Sequence, residues 1–252
     1  MAMSDPFLRF VDVHRSFGTN RVLRGVNLEV ERGTSIVILG GSGSGKSVLL
    51  RHAIGLQRPD AGEVWVDGTE ISELDEDDLQ ECRKKVGMLF QAGALFDSMT
   101  VMDNVAFALR EHTDRSEREI GDRVREVLAL VELEGVEEQM PADLSGGMRK
   151  RVALARAIAI APRCLLYDEP TTGLDPITAG TINRLIRSLQ ERLGVTSVVV
   201  THDIDSAFAV ADRVAFLYEG RIEFHGTTAE ARASDHPRLR AFLSGGNHGE
   251  VP

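Results

Sequence analysis

Eight consecutive residues, Gly40-Gly41-Ser42-Gly43-Ser44-Gly45-Lys46-Ser47, constrain this chain more than any other feature. They satisfy G-x-x-x-x-G-K-[ST] in full. They follow Thr34–Leu39, a β-branched run that suits a fully buried strand, and precede a predicted helix from near Lys46 through Leu50 and Ala53. Glycines let successive backbone N–H groups curl round phosphate oxygens without side-chain clashes. The helix turns its positive dipole end toward the same anion. Lys46 adds a point charge for the β- and γ-phosphates, and Ser47 offers a hydroxyl to Mg²⁺. A Gly/Ser linker with a chance lysine would lack the flanking strand and helix. The expectation is a nucleotide site spanning Gly40, Gly41, Ser42, Gly43, Ser44, Gly45, Lys46 and Ser47.

Cys164-Leu165-Leu166-Tyr167-Asp168-Glu169 reads as an apolar strand that ends in two carboxylates. Asp168 can hold Mg²⁺, directly or through water, and Glu169 can orient and polarise an attacking water. Alone, such a strand end is more often structural; downstream of a complete phosphate loop it points to hydrolysis. Leu144-Ser145-Gly146-Gly147-Met148 supplies a second helix start, capped by Ser145, whose glycines leave room for close anion approach. By itself this segment also fits an ordinary capped helix.

Around these motifs the pattern predicts strands over Phe7–Val13, Val22–Val30, Gly62–Asp67, Leu165–Tyr167 and Ser197–Val200, with a turn at Asp67-Gly68. From Gly93 to about Ile160 the character is helical. Ile120, Val124, Val127, Leu128 and Val131 recur at helical spacing, and Val152, Leu154 and Ile158 follow the Ser145 cap. The expected architecture is a parallel α/β core with a helical insertion over about 92–160. From about 235 a tail containing Gly245, Gly246 and Gly249 follows, either a regulatory contact or a mere extension.

The net charge of −10, with no clustered basic face, argues against a nucleic-acid partner. Cys82 and Cys164 lack metal-ligand spacing; Cys164 is expected as a buried thiol in a reducing compartment. Met1–Phe10 carries Asp5 and lacks the apolar stretch of a secretory signal, and no apolar run approaches the roughly 18 residues of a membrane span. A soluble chain on the cytosolic side is expected.

Together these residues resemble an ABC transporter nucleotide-binding domain. The resemblance implies an α/β fold: a P-loop NTPase (RecA-like) parallel-sheet core with an antiparallel β part and a helical ABC signature subdomain, in one domain over 1–252. It implies ATP and Mg²⁺ as ligands. It also implies a head-to-tail homodimer, with ATP held between one chain's phosphate loop and the other's Ser145-Gly146-Gly147. Gln91 is thereby assigned to the Q-loop, which senses Mg²⁺ and faces a permease. Asp175, in Gly173-Leu174-Asp175, matches the D-loop that crosses the dimer. His202 matches the switch histidine at the γ-phosphate, and Phe17 the aromatic residue that stacks on adenine. As lone residues, Gln91, His202 and Phe17 would more often be surface, core and core. The implied catalytic set is Glu169, His202 and Lys46; the implied Mg²⁺ set is Ser47, Gln91 and Asp168. Met148 departs from the family's usual glutamine, removing a polar side chain while the serine and glycines remain. Competent hydrolysis is still expected.

The run from Gly87 to Val101, the segment Leu144-Ser145-Gly146-Gly147-Met148-Arg149-Lys150-Arg151 and Arg110-Glu111-His112-Thr113 resemble the Mce/Mla-type ATPases of bacterial lipid transport. That resemblance implies a peripheral subunit on the cytoplasmic face of the inner (plasma) membrane. Its partners would be a multi-span permease, an Mce-domain lipid-binding protein and, in the Mla branch, a STAS-domain protein. The alternative is the ATPase of an amino-acid or metal importer, which shares every core motif. A non-transport ABC ATPase fits less well, since no coiled-coil insertion, zinc insertion or second motif set is visible. Ala94, Leu95, Phe96, Met99, Val101 and Met102 form an apolar stretch after Gln91 that either grips a permease helix or packs within the helical region.

Overall fold

A computed structural model describes residues 5–245. Met1–Ser4, and Gly246 and Gly249 of the tail, lie outside the described residues. The chain divides into two compact units, residues up to 83 together with those from 196 onward, and residues 84–195.

In the first unit, β1 (Leu8–Phe17) and β2 (Asn20–Val30) form an antiparallel pair. β3 (Ser35–Leu39) is buried along its whole length and leads into α1 (Lys46–Ala53). β4 (Ala61–Val66) takes the free edge of β1, and β5 (Thr69–Glu70) returns beside β4, giving the order β2-β1-β4-β5. The predicted turn at Asp67-Gly68 closes the β4–β5 hairpin, with φ of 51° and 82°, the left-handed pair that a two-residue hairpin loop requires. α2 (Glu76–Arg83) ends this stretch, with Arg83 donating to Ile54 O at 2.9 Å.

In the second unit, β6 (Val86–Leu89) precedes α3 (Val101–His112), α4 (Glu117–Leu130) and α5 (Gly146–Ile158). β7 (Cys164–Asp168) pairs in parallel with β6, and α6 (Pro176–Leu193) follows it. Each helix starts on a polar cap: Thr100, Ser116 in a capping box, Ser145 and Asp175. The face predicted for α4 is the one it buries, Ile120, Val124, Val127 and Leu128. Arg110 on α3 reaches Asp103, on its own helix, at 2.9 Å and Glu117, on α4, at 3.0 Å. The Arg110–Thr113 segment thus braces one helix against the next.

The chain then returns to the first unit with β8 (Thr196–Thr201), α7 (Ile204–Val210), β9 (Arg213–Tyr218), β10 (Arg221–Thr227), α8 (Thr228–Ala233) and α9 (Pro237–Leu243). β3 lies between β8 and β9 and is parallel to both; β10 runs antiparallel on β9. Ile36–Leu39, Val198–Val200 and Val214–Leu217 fill this core. The start of the tail belongs to it too: Leu239 and Phe242 are buried, and the Phe242 ring lies 5.3 Å from that of Phe216. Both cysteines are buried thiols.

α1 ends over a buried imidazole. His52 is 1% exposed, its Nδ1 is 2.6 Å from Gln57 O, and its Nε2 is enclosed with no partner. That geometry fixes the neutral ring with the proton on Nδ1. Burial depresses its pKa below 6.5 and Arg15 adds to this, while the Gln57 carbonyl and Asp60 oppose it. The unfolded chain therefore binds a proton that the folded one refuses. Stability is full above about pH 6.5 and falls as the pH drops below that value. Urea unfolding at about pH 7.5 and about pH 5.5 should show a lower midpoint at the acid end, and His52→Leu should shrink the difference. An unchanged difference in the variant would place the acid sensitivity elsewhere.

Candidate nucleotide site

The loop between β3 and α1 is shaped for an anion. A Cβ at Gly40 would stand 2.5 Å from Leu217 O and 2.7 Å from Ser44 Oγ, so only glycine fits there. Gly45, at φ 105°, is the residue before α1 and provides no side-chain cap. The positive end of the α1 dipole therefore opens toward the loop with no side chain of its own cap residue in the way. Lys46 is buried and its Nζ donates to Gly40 O at 2.8 Å and Gly41 O at 3.0 Å, which holds the ammonium over the loop. Ser44 Oγ is enclosed without a partner. A close-approach cradle, a helix N-terminus, an orphaned hydroxyl and a fixed cation fit the phosphate chain of a nucleotide.

The register of β3 on β8 pairs Leu39 with Thr201, so Gly40 and His202 leave the sheet side by side. His202 is exposed at that edge. Phe17 stands at the end of β1, 42% exposed, with the Arg15 guanidinium 4.9 Å from its ring centroid. Arg15 is itself held by Asp60 Oδ1 at 2.7 Å and Arg58 O at 3.1 Å. Nothing in the sequence pattern marks Arg15, because both of its anchors lie more than forty residues away.

The second unit gathers the other predicted residues. Asp168 and Glu169 are buried at the end of β7. Glu169 has φ 47°, a left-handed backbone that costs a non-glycine residue on the order of 1 kcal/mol or more and that collects at functional positions. Thr172 Oγ1 donates to its Oε2 at 3.3 Å. The parallel pairing of Leu89 with Tyr167 brings the segment containing Gln91 and the Asp168–Glu169 pair out at one sheet edge. Gln91 is exposed.

Ser145 accepts a hydrogen bond from the Met148 N–H at 3.2 Å, so position 148 serves this cap through its backbone whatever its side chain. Ser145 and Gly146 face solvent, while a Cβ at Gly147 would meet Thr178 Cγ2 at 2.6 Å. Asp175 caps α6 through the Ile177 and Thr178 amides at 3.0 and 3.1 Å. The Thr178 hydroxyl, then these amides, hold its carboxyl below the usual range. Ile177 beside it is 84% exposed. Among the described residues, no helix is long and apolar enough to cross a membrane.

A family profile described as ABC transporter matches residues 23–172. The chain belongs to the ABC transporter family. One relative of this cassette is the probable ribonucleotide transport ATP-binding protein mkl of Mycobacterium tuberculosis, 44% identical over 237 residues, or 94% of this chain. The cassette spans 66% of that protein's length, just under two thirds. The intermembrane phospholipid transport system ATP-binding protein MlaF of Escherichia coli is 43% identical over 241 residues, 96% of this chain and 90% of that one. Among solved structures, the dimeric cassette MJ0796, described as a post-hydrolysis state bound to ADP and Pi, superposes with a TM-score of 0.80 at 36% identity. The superposition covers 87% of this cassette and 98% of that chain.

Proposed function

We propose that this cassette is the ATP-hydrolysing subunit of a membrane ABC transporter whose cargo is lipid. The observation that carries the nucleotide part is the cradle at Gly40–Lys46, where a glycine-only close approach, a fixed ammonium and an orphaned hydroxyl meet at a helix start. In this reading Phe17 stacks on adenine, and Lys46 with residues 40–45 binds the phosphates. Ser47, Asp168 and Gln91 hold or sense Mg²⁺, Glu169 activates water, and His202 contacts the γ-phosphate. A second copy contributes Ser145, Gly146 and Gly147, with Asp175 at the crossing. The dimeric cassette with ADP and Pi supports the two-chain arrangement.

Lipid cargo is supported by the likeness to MlaF over nine tenths or more of both chains. The assembly this implies is a homodimer on the cytoplasmic face of the inner (plasma) membrane, docked to a multi-span permease. An Mce-domain lipid-binding protein and a STAS-domain protein complete it. An apolar cavity in the second unit supports a docking place there. Val86, Met88, Phe90, Ala94, Phe96 and Phe107 help line a cavity of about 370 Å³. Phe96 and Phe107 are each about two fifths exposed, with ring centroids 5.1 Å apart. The apolar stretch after Gln91 thus divides: Val101 packs inside, whereas Phe96 stays partly exposed, which supports its use by a partner helix.

The test is affinity purification of the Glu169→Gln chain from its own membranes with ATP, followed by mass spectrometry of proteins and lipids. Phe96→Asp in the same background is run beside it. Recovery of a multi-span permease, an Mce-domain protein and phospholipid or sterol, all reduced by Phe96→Asp with ATP binding intact, is the expected result. Ribonucleotide in place of lipid would transfer the cargo named for mkl to this cassette. A solute-binding protein would make it a small-solute importer, and the absence of any membrane protein would end the transporter reading.

A further inference from the structure

α5 carries two cations that turn away from solvent. Lys150 is 6% exposed, and its Nζ donates to the backbone oxygen of Gln91. Six residues further on, Arg156 donates to Gly93 O at 2.9 Å and Ala94 O at 2.7 Å. The segment they grip is tightly folded: the Gly93 N–H bonds back to Phe90 O at 2.8 Å, and Gly93 and Ala94 have φ of 79° and 52°. Three carbonyls of the Gln91 segment are thus held by the helix that begins at Ser145.

The two cations differ in their surroundings. Arg156 feels burial alone. Lys150 is also penalised by burial, but Asp168 and Glu169 act on it in the opposite sense and favour its charged form. An ammonium has three donors, and a buried one is retained at a cost unless charge and hydrogen bonds compensate it. A methionine of similar length would fill the same space without that cost. The retained charge therefore calls for a reason beyond packing.

We propose that Lys150 is a positioning residue for hydrolysis, tying the Gln91 main chain to α5 at the sheet edge where β7 also brings out Asp168 and Glu169. Through it, the helix that starts at Ser145 is fixed to the Gln91 segment, which leaves the sheet beside the end of β7. Contact with a ligand at the start of α5 is thereby mechanically linked to the aim of Gln91 and Glu169. This inference rests on the roles given above to Gln91 and Glu169.

The test uses the transporter complex purified from its membranes, with Lys150→Met, Lys150→Arg and Glu169→Gln compared with wild type. Lys150→Met keeps the volume and removes the charge and the donor, so folding is preserved and thermal unfolding checks that. Turnover should fall by about ten- to hundredfold, the usual effect of losing an outer-shell partner. The Kd for ATP should be unchanged, and Lys150→Arg should recover most of the turnover. Wild-type turnover in a folded Lys150→Met complex, with Glu169→Gln inactive, would overturn the inference alone. Equal loss of ATP binding and turnover, or no recovery with arginine, would reduce Lys150 to a packing role. Wild-type turnover in Glu169→Gln would instead remove the reading beneath it.

Discussion

Glu169→Gln should bind ATP as the wild type does and turn it over about 10²- to 10⁴-fold more slowly, the range for loss of a general base. The substitution is nearly isosteric. The amide oxygen can still accept the Thr172 hydroxyl, now at 3.3 Å from Oε2, so the local turn has no reason to change. Neither Lys46 nor the amides at the start of α1 is altered, and the affinity terms therefore stay in place. What disappears, on the proposed mechanism, is the proton acceptor for the attacking water. Phosphate release at saturating ATP, set beside equilibrium binding of a fluorescent ATP analogue, separates the two quantities. Turnover within a fewfold of wild type would take the base role away from Glu169.

Lys46→Ala should act on both quantities at once. Its ammonium is aimed at the loop by Gly40 O and Gly41 O, 2.8 and 3.0 Å away. Charge-assisted hydrogen bonds are worth about 1.5–3 kcal/mol each, so losing one to phosphate should raise the Kd for ATP by roughly 10- to 100-fold. Charge that develops on the γ-phosphate also loses its counterion, so kcat falls as well. Calorimetric titration of ATP into the variant gives the first number and single-turnover hydrolysis the second. An unchanged Kd would mean that Lys46 holds the loop and not the nucleotide.

Much of the first unit's site was legible because its signals are local. The phosphate loop occupies eight adjacent residues between a β-branched run and a helix, and each step of the argument uses near neighbours. The face of α4 and the Asp67-Gly68 turn were readable for the same reason. The β9–β10 hairpin was not. Val214–Leu217 is a short run buried on both sides, which periodicity alone does not separate from a helix. Its turn, Glu219-Gly220, has φ of 46° and 77°, the conformation that Asn-Gly or Asp-Gly usually announces. Glu-Gly there was a usable but weaker signal. α9 was missed because its burial depends on Phe216, far back in the chain.

Motif and resemblance nominated the candidate site residues, whereas nothing in the sequence marked the cations that hold their segments. Lys150 appears in the sequence as one more charge in Arg149-Lys150-Arg151, and its partner is a carbonyl fifty-nine residues upstream. Arg156 and Arg15 are similar cases, cations whose acceptors are backbone oxygens or side chains distant in sequence. Carbonyls leave no mark in a sequence. Asp175 shows the reverse: resemblance gave it a place in a dimer, and the fold adds a cap on α6 that no partner chain is needed to explain.

The shelter of Cys82 and Cys164 has a practical side. The chain has only these two thiols. Burial also pushes the Cys164 sulfur toward its protonated, unreactive form. One lies on α2 and the other on β7, so each compact unit carries one. A slow alkylating reagent followed by peptide mass spectrometry would thus time the opening of each half separately, with no engineered label. Run with and without ATP, such a clock would show which half nucleotide locks, inside an intact membrane assembly where optical probes are swamped.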